Sequence, residues 1–283
     1  MHAIRSALLV SLAIGISHSA PAEQLLPIAR QDTSKQPHDT IPPRHLDPSK
    51  KLRIVIDIGH FLPNPDSATE KGKGATSARG INEFYFNRPA ALALAQALRD
   101  TLGCEVLVDN EDGKEHDLRH RTSLAHEQSA DLFFSVHHDA VQASQLTPWI
   151  WEGKPESYCD AVHGFSLFVS DSCGNYPQAL ALARRIGASL RKGGRSPNIY
   201  HSRKIPGEER QLLDSLNGVY LDRLAVLVSA RMPAILIECG MLVNRDEELQ
   251  LDSDAYRAGT GALVASALRR WLAEGAPEDT TMH

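Results

Sequence analysis

From Leu52 onward the chain alternates between short, nearly unbroken apolar runs and longer stretches in which apolar residues recur every three or four positions. Three of the runs close on polar residues: Ile54-Val55-Ile56-Asp57-Ile58-Gly59-His60, Leu132-Phe133-Phe134-Ser135-Val136-His137-His138 and Ala234-Ile235-Leu236-Ile237-Glu238. Runs of this length, rich in β-branched and aromatic residues, predict strands covered on both faces in a parallel sheet. Cys104–Val108 and Gly164–Val169 predict two further strands. Helical spacing covers Phe84–Leu102 (Leu92, Leu94, Ala95, Leu98), Leu118–Gln128, Pro177–Leu190 (Leu180, Ala183, Ile186, Leu190) and Tyr256–Leu272 (Leu263, Val264, Ala267, Leu268). Strands that alternate with helices predict an α/β fold: one domain over residues 51–275, with a mainly parallel twisted sheet of about five to six strands flanked by helices.

The flanks read differently. Arg5 precedes the apolar run Ala7–Ile16, and the small-residue stretches Ser17-His18-Ser19 and Ala20-Pro21-Ala22 follow it, each a candidate cleavage site. This tripartite pattern is that of a secretory signal over residues 1–22. The run is well short of the roughly 20 residues that a membrane-spanning helix needs. The expectation is an exported protein of the periplasm or cell envelope, with no membrane span once the signal is removed. Residues 23–50 carry Pro27, Pro37, Pro42, Pro43 and Pro48 among polar residues with no periodic apolar face, the pattern of a tether. Residues 276–283 form a polar tail.

Composition narrows the function classes. Hydrophobic residues make up 42% and charged residues 23% of the 283, an ordinary globular mix that rules out disorder throughout. The net charge of −5 supplies no field for gripping phosphate backbones, so nucleic acid is not an expected partner. Four cysteines are too few for a disulfide-built scaffold.

In open α/β sheets, ligand sites form beyond the carboxyl ends of the strands. Here three separate strands bring His60, the pair His137/His138 and Glu238 to that edge, and Glu83 stands at the start of a helix. Any one of these could simply cap its strand; their convergence favours chemistry. Two imidazoles and a carboxylate with a fourth position open is the donor set of a catalytic zinc, which lowers the pKa of a bound water to about 7. A second carboxylate nearby can take the water's proton and pass it to a leaving amine. Asp57, three residues before His60, could orient a ligand imidazole or form a buried structural hydrogen bond. Cys159 and Cys173 flank the strand Gly164–Val169 of an exported chain and are expected to form a disulfide. Cys104 and Cys239 are expected as buried thiols.

These residues resemble the zinc-dependent N-acetylmuramoyl-L-alanine amidases that trim peptidoglycan. The resemblance covers about Leu52 to Trp271 in four ordered blocks: Ile56-Asp57-Ile58-Gly59-His60; Gly74-Ala75, Gly80-Ile81-Asn82-Glu83 and Asn87; Leu118-Arg119-His120-Arg121 with Ala130 through Ala140; and Leu224–Leu227 with Met232 through Gly240 and Asn244. Position by position it implies that His60, Glu83 and His137 bind Zn2+ and that Glu238 is the general base and acid. It also implies that His138 is a neighbour of the site; Asp57, His138 and Arg121 are supporting or substrate-contacting candidates. The implied reaction is hydrolysis of the amide between the lactyl group of muramic acid and L-alanine, in peptidoglycan or its muropeptide fragments. A regulatory protein stays open as a partner, its identity not given by the sequence. Competing readings are a zinc peptidase or carboxypeptidase acting on stem peptides, and an inactive wall-binding module. The sequence departs from the family pattern after His60, where Phe61 replaces the usual glycine. It also carries two additional stretches, Val141–His163 with Trp149, Trp151 and Tyr158, and Gly193–Tyr220 with Tyr200, Glu208 and Glu209. Aromatic side chains in the first stretch are expected to pack on the body of the domain more readily than on sugar faces.

Overall fold

The computed structural model describes residues 50–63, 72–115 and 117–275. The expected signal peptide, nearly all of the tether and the tail lie outside these residues. In chain order the elements are β1 (Arg53–Ile58), α1 (Phe84–Leu102), β2 (Glu105–Asp109), α2 (Leu118–Glu127), β3 (Leu132–Asp139), β4 (Thr147–Trp151), β5 (Lys154–Tyr158), β6 (Ser166–Val169), α3 (Tyr176–Lys192), β7 (Gln211–Asp214), β8 (Val219–Leu221), α4 (Ala225–Val228), β9 (Ala234–Met241), α5 (Arg245–Leu251) and α6 (Asp254–Ala273). The five strands and four long helices read from the hydrophobic pattern are all present, within a few residues of their expected ends.

Seven strands form the sheet, in the order β2-β1-β3-β9-β6-β8-β7, rather than the expected five to six. The first four run parallel. Strand β6 then pairs antiparallel with β9, and β8 parallel with β6. The two unexpected strands, β7 and β8, form a hairpin within the second additional stretch. They escaped detection because each is only three or four residues long and β7 is partly exposed. The first additional stretch forms a separate antiparallel hairpin, β4–β5.

Alternation along the strands divides the molecule into two sides. Ile54, Ile56, Ile58, Phe134 and Val136 are buried in the main core, with Leu94, Leu98, Val264 and Leu268 of α1 and α6. Helix α6 packs between α1 and α3. On the opposite side Asp57 meets Arg121 of α2, and Thr122 of α2 bonds Ser229 at the end of α4. No described helix is long and apolar enough to cross a membrane.

The expected disulfide does not form. Cys159 and Cys173 are free, buried thiols in different apolar clusters. The Cys159 N–H bonds the Val243 carbonyl, just past the end of β9, whereas Cys173 lies against the Ala234 backbone at its start. An eight-residue strand separates these positions by roughly 25 Å, far beyond the 4.4–6.8 Å between Cα atoms that a disulfide spans. Flanking one strand in sequence placed the two thiols at opposite ends of its neighbour. Cys104 is buried as expected; Cys239 is half-buried.

Candidate metal centre

The site is built where β1, β3 and β9 end. Parallel register sets His137 of β3 opposite Glu238 of β9, and the chain leaves β1 through Gly59, whose N–H bonds the Val136 carbonyl. A side chain at position 59 has no room: a Cβ there would fall 2.3 Å from the His137 imidazole. The bare glycine backbone therefore lets that ring lie against the end of β1, near His60. His60 itself adopts a left-handed backbone, φ 62°, a strained conformation that persists only where neighbours enforce it. Arg121 and Asn110 enforce it. The Arg121 guanidinium donates to the carbonyls of Ile58 at 2.7 Å and His60 at 2.6 Å, and the Asn110 amide donates to the same two oxygens at 2.8 and 2.7 Å.

Asp57 completes this buttress without touching a ligand candidate. One oxygen accepts from Arg121 at 2.9 Å and the other from the Ser135 hydroxyl at 2.6 Å, with both charged groups buried. Of the two readings open for Asp57, the structure shows the buried hydrogen bond; the carboxylate orients the arginine that holds the His60 turn.

Glu83 enters from the other direction, at the start of α1, and is 2% exposed. Its Oε2 accepts from the Ala75 N–H at 2.7 Å and lies 3.1 Å from His60 Nε2; its Oε1 lies 3.3 Å from His137 Nδ1. The two rings stand edge to face, 4.7 Å between centroids. One donor atom from each of His60, Glu83 and His137 lies within 4.8 Å of the others, so three of the four residues singled out by the sequence converge as a donor set. Burial by itself would raise the Glu83 carboxyl, but the charge of His60 and hydrogen bonds from His137 and His60 hold it well below its ordinary value. Burial pushes His137 down, toward the neutral ring that a metal requires. His137 Nδ1 is buried and has no well-aligned hydrogen-bond partner among the described residues. Two imidazoles, one of them with an unsatisfied buried Nδ1, and a carboxylate fit a zinc ion.

Glu238 is 3% exposed and carries a buried, unpartnered Oε2. Burial raises its pKa well above the ordinary value, the charges of Asp139 and Glu83 add to this, and Arg210 opposes it. His138 points away from the donor set: its Nδ1 bonds Asn87 Oδ1 at 2.8 Å, and burial lowers it to about 3.

Sequence reading missed a charged cluster beside Glu238. His201 Nε2 lies 2.5 Å from Asp139 Oδ2 and His201 Nδ1 2.6 Å from Glu208 Oε2, while Arg210 joins Glu208 at 2.6 Å and Asp222 at 2.7 Å. Three of these residues fall in the second additional stretch, where neither periodicity nor spacing marks them. The aromatics of the β4–β5 hairpin pack on the domain: Trp149 Nε1 donates to the Ala78 carbonyl at 2.8 Å, Arg79 lies 4.8 Å from the Trp151 ring, and Arg245 lies 3.7 Å from Tyr158. They brace the segment that leads into Glu83.

Comparison with known proteins agrees with this architecture. The chain is 24% identical over 231 residues to N-acetylmuramoyl-L-alanine amidase AmiC of Neisseria meningitidis serogroup B, a match covering 77% of this chain but only 52% of that protein; the chain thus spans about half of that relative's length. It is 22% identical to the germination-specific N-acetylmuramoyl-L-alanine amidase of Bacillus subtilis, covering 84% of this chain and 86% of the other. The crystal structure of the N-acetylmuramyl-L-alanine amidase Ami1 of Mycobacterium smegmatis superposes with a TM-score of 0.60 at 17% identity, covering 79% of this chain and 97% of that one, a likeness of fold. The N-acetylmuramoyl-L-alanine amidase family model matches residues 54–270, and with that span the chain belongs to this family.

Proposed function

We propose that this chain is a zinc-dependent peptidoglycan amidase that hydrolyses the bond between the lactyl carbonyl of N-acetylmuramic acid and the nitrogen of L-alanine. One observation carries the reading: His60, Glu83 and His137 present three donor atoms within 4.8 Å, beside a buried carboxyl with a free oxygen on Glu238. His60 Nε2, the Glu83 carboxylate and His137 Nδ1 would hold the ion. Zinc bound there supplies a Lewis acid that polarises the scissile carbonyl and makes water acidic near neutral pH. Glu238 takes a proton from the attacking water onto Oε2 and returns it to the departing alanine nitrogen, the base-then-acid sequence that amide hydrolysis needs. A carboxyl with a raised pKa suits both halves of that task. Residues 1–22 as a secretory signal would bring the enzyme to the envelope, where peptidoglycan and its muropeptide fragments are found.

A zinc peptidase cutting stem peptides would use the same groups, so product chemistry decides between the two. Incubation of purified sacculi with the zinc-loaded protein is expected to release new N-terminal L-alanine, identified by end-group labelling and mass spectrometry. A strong chelator is expected to abolish release and added zinc to restore it. New D-amino-acid termini would instead establish the peptidase, and wall binding with no metal-dependent product would establish a binding module.

A further inference from the structure

The carboxylate proposed as a ligand is itself held from behind. Glu83 Oε1 accepts from the Asn87 side-chain amide at 3.1 Å and from the His138 N–H at 3.1 Å. Asn87 stands one helical turn after Glu83 on α1, so its side chain lies directly over the carboxylate. Both hydrogens of its amide are engaged, one by Glu83 Oε1 and the other by the Gly59 carbonyl at 3.1 Å. Its Oδ1 is thereby turned toward His138 Nδ1, 2.8 Å away. An amide oxygen can only accept, so His138 must donate from Nδ1, and its neutral ring carries its lone pair on Nε2. That nitrogen is buried and has no hydrogen-bond partner among the described residues. The Nδ1 bond is therefore the polar contact that the His138 ring makes, and it is spent on Asn87.

We infer that His138 and Asn87 are a positioning pair for the metal centre: the imidazole fixes the orientation of the Asn87 amide, and the amide fixes Glu83 Oε1 and the Gly59 carbonyl together. Gly59 carries His60 on one side and underlies the His137 ring on the other, so one side-chain amide ties the carboxylate to the backbone against which both histidines are placed. Were the Asn87 amide to flip, its oxygen would face two acceptors, Glu83 Oε1 and the Gly59 carbonyl. The buried His138 N–H opposes that flip. Neither residue belongs to the donor set; each acts through Glu83.

The inference rests on the proposal that Glu83 ligates zinc, and the test separates the two. Zinc affinity of the purified full chain is measured by competition with a chromophoric chelator for wild type, His138→Leu, His138→Asn and Asn87→Ala, with apo-protein melting as the control for folding. Loss of such supporting partners weakens metal binding by about 10–100-fold, and this loss is expected for His138→Leu and Asn87→Ala. In His138→Asn the shorter amide can donate from near the Nδ1 position, so affinity is expected to stay within about threefold of wild type. Equal affinity of wild type and His138→Leu, or an Asn variant as weak as the Leu variant, would overturn the pairing. If His138→Leu does not fold, the visible spectrum of cobalt-loaded Asn87→Ala decides: a shifted band supports displacement of the Glu83 ligand, and an unchanged one refutes it. Failure of the wild-type chain to bind zinc or cobalt would instead refute the metal-centre reading itself.

Discussion

At the scale of single residues, Glu238 and its surroundings make the sharpest demand. Glu238→Ala leaves the three proposed metal ligands in place, so zinc binding is expected to persist while the turnover number falls by about 10²–10⁴-fold, the usual contribution of a positioned acid–base group; muropeptide release and zinc titration on the same sample check the two halves. The pH profile carries a second signature. Glu238 must lose its proton to act as a base, so the rate falls as pH drops through its raised pKa. Because the Asp139 charge is one cause of that rise, Asp139→Asn is expected to move the acid limb of kcat/KM to lower pH. An unmoved limb would show that another group sets it. Much at this scale was legible beforehand, since His60, Glu83, His137 and Glu238 stand out as polar endings on apolar runs or within ordered blocks. What the sequence could not reveal is which atoms meet. Asp57 had two readings open, and it bonds Arg121 and Ser135 rather than a ligand imidazole, because its neighbours are set by strand register and by α2, not by its distance along the chain from His60.

At the scale of elements, α2 fastens to the end of β1 through one buried guanidinium. Arg121 is 1% exposed and donates to Asp57, Ile58, His60 and Glu115. Removing one member of a buried ion pair leaves the other charge uncompensated, a loss of about 3–5 kcal/mol. Arg121→Leu is expected to lower the unfolding free energy by that amount, read from urea titration by circular dichroism, with zinc affinity reduced alongside as the His60 turn relaxes. The long apolar strands and amphipathic helices were readable because burial on both faces, or on one stripe, is written into their composition. The β4–β5 hairpin was not read from the sequence, although its turn is a regular one. Trp151 pairs with Lys154 across a two-residue loop, Glu152-Gly153, and both loop residues have positive φ, the conformation of a tight hairpin turn. Trp149 and Trp151 are half-buried with Ile150 exposed between them, the period of two of a strand. The cysteine pairing was not readable, because spacing along the chain says nothing about which end of β9 each thiol reaches.

At the scale of the whole molecule, the cluster around His201 ties the second additional stretch to the sheet. Asp139 belongs to β3, Glu208 and Arg210 to the stretch itself, and Asp222 follows β8. Burial lowers His201, but Asp139 and Glu208 outweigh it and raise the ring to about 9. A histidine raised from about 6.5 when unfolded contributes stability that is complete below the unfolded value and disappears as pH climbs through the folded one. Thermal stability is therefore expected to decline between about pH 6.5 and 9, and His201→Gln to flatten that decline. Calorimetric melting across this range checks it; a wild-type curve flat above pH 6.5 would show that His201 is not charged in the fold.

The scattered sulfurs have a consequence of their own. With Cys159 and Cys173 in separate apolar clusters and Cys104 and Cys239 elsewhere, the described domain needs no oxidative cross-link. It can reach its native state in a reducing compartment as readily as in an oxidising one. A dithiol oxidase has no native bond here to make.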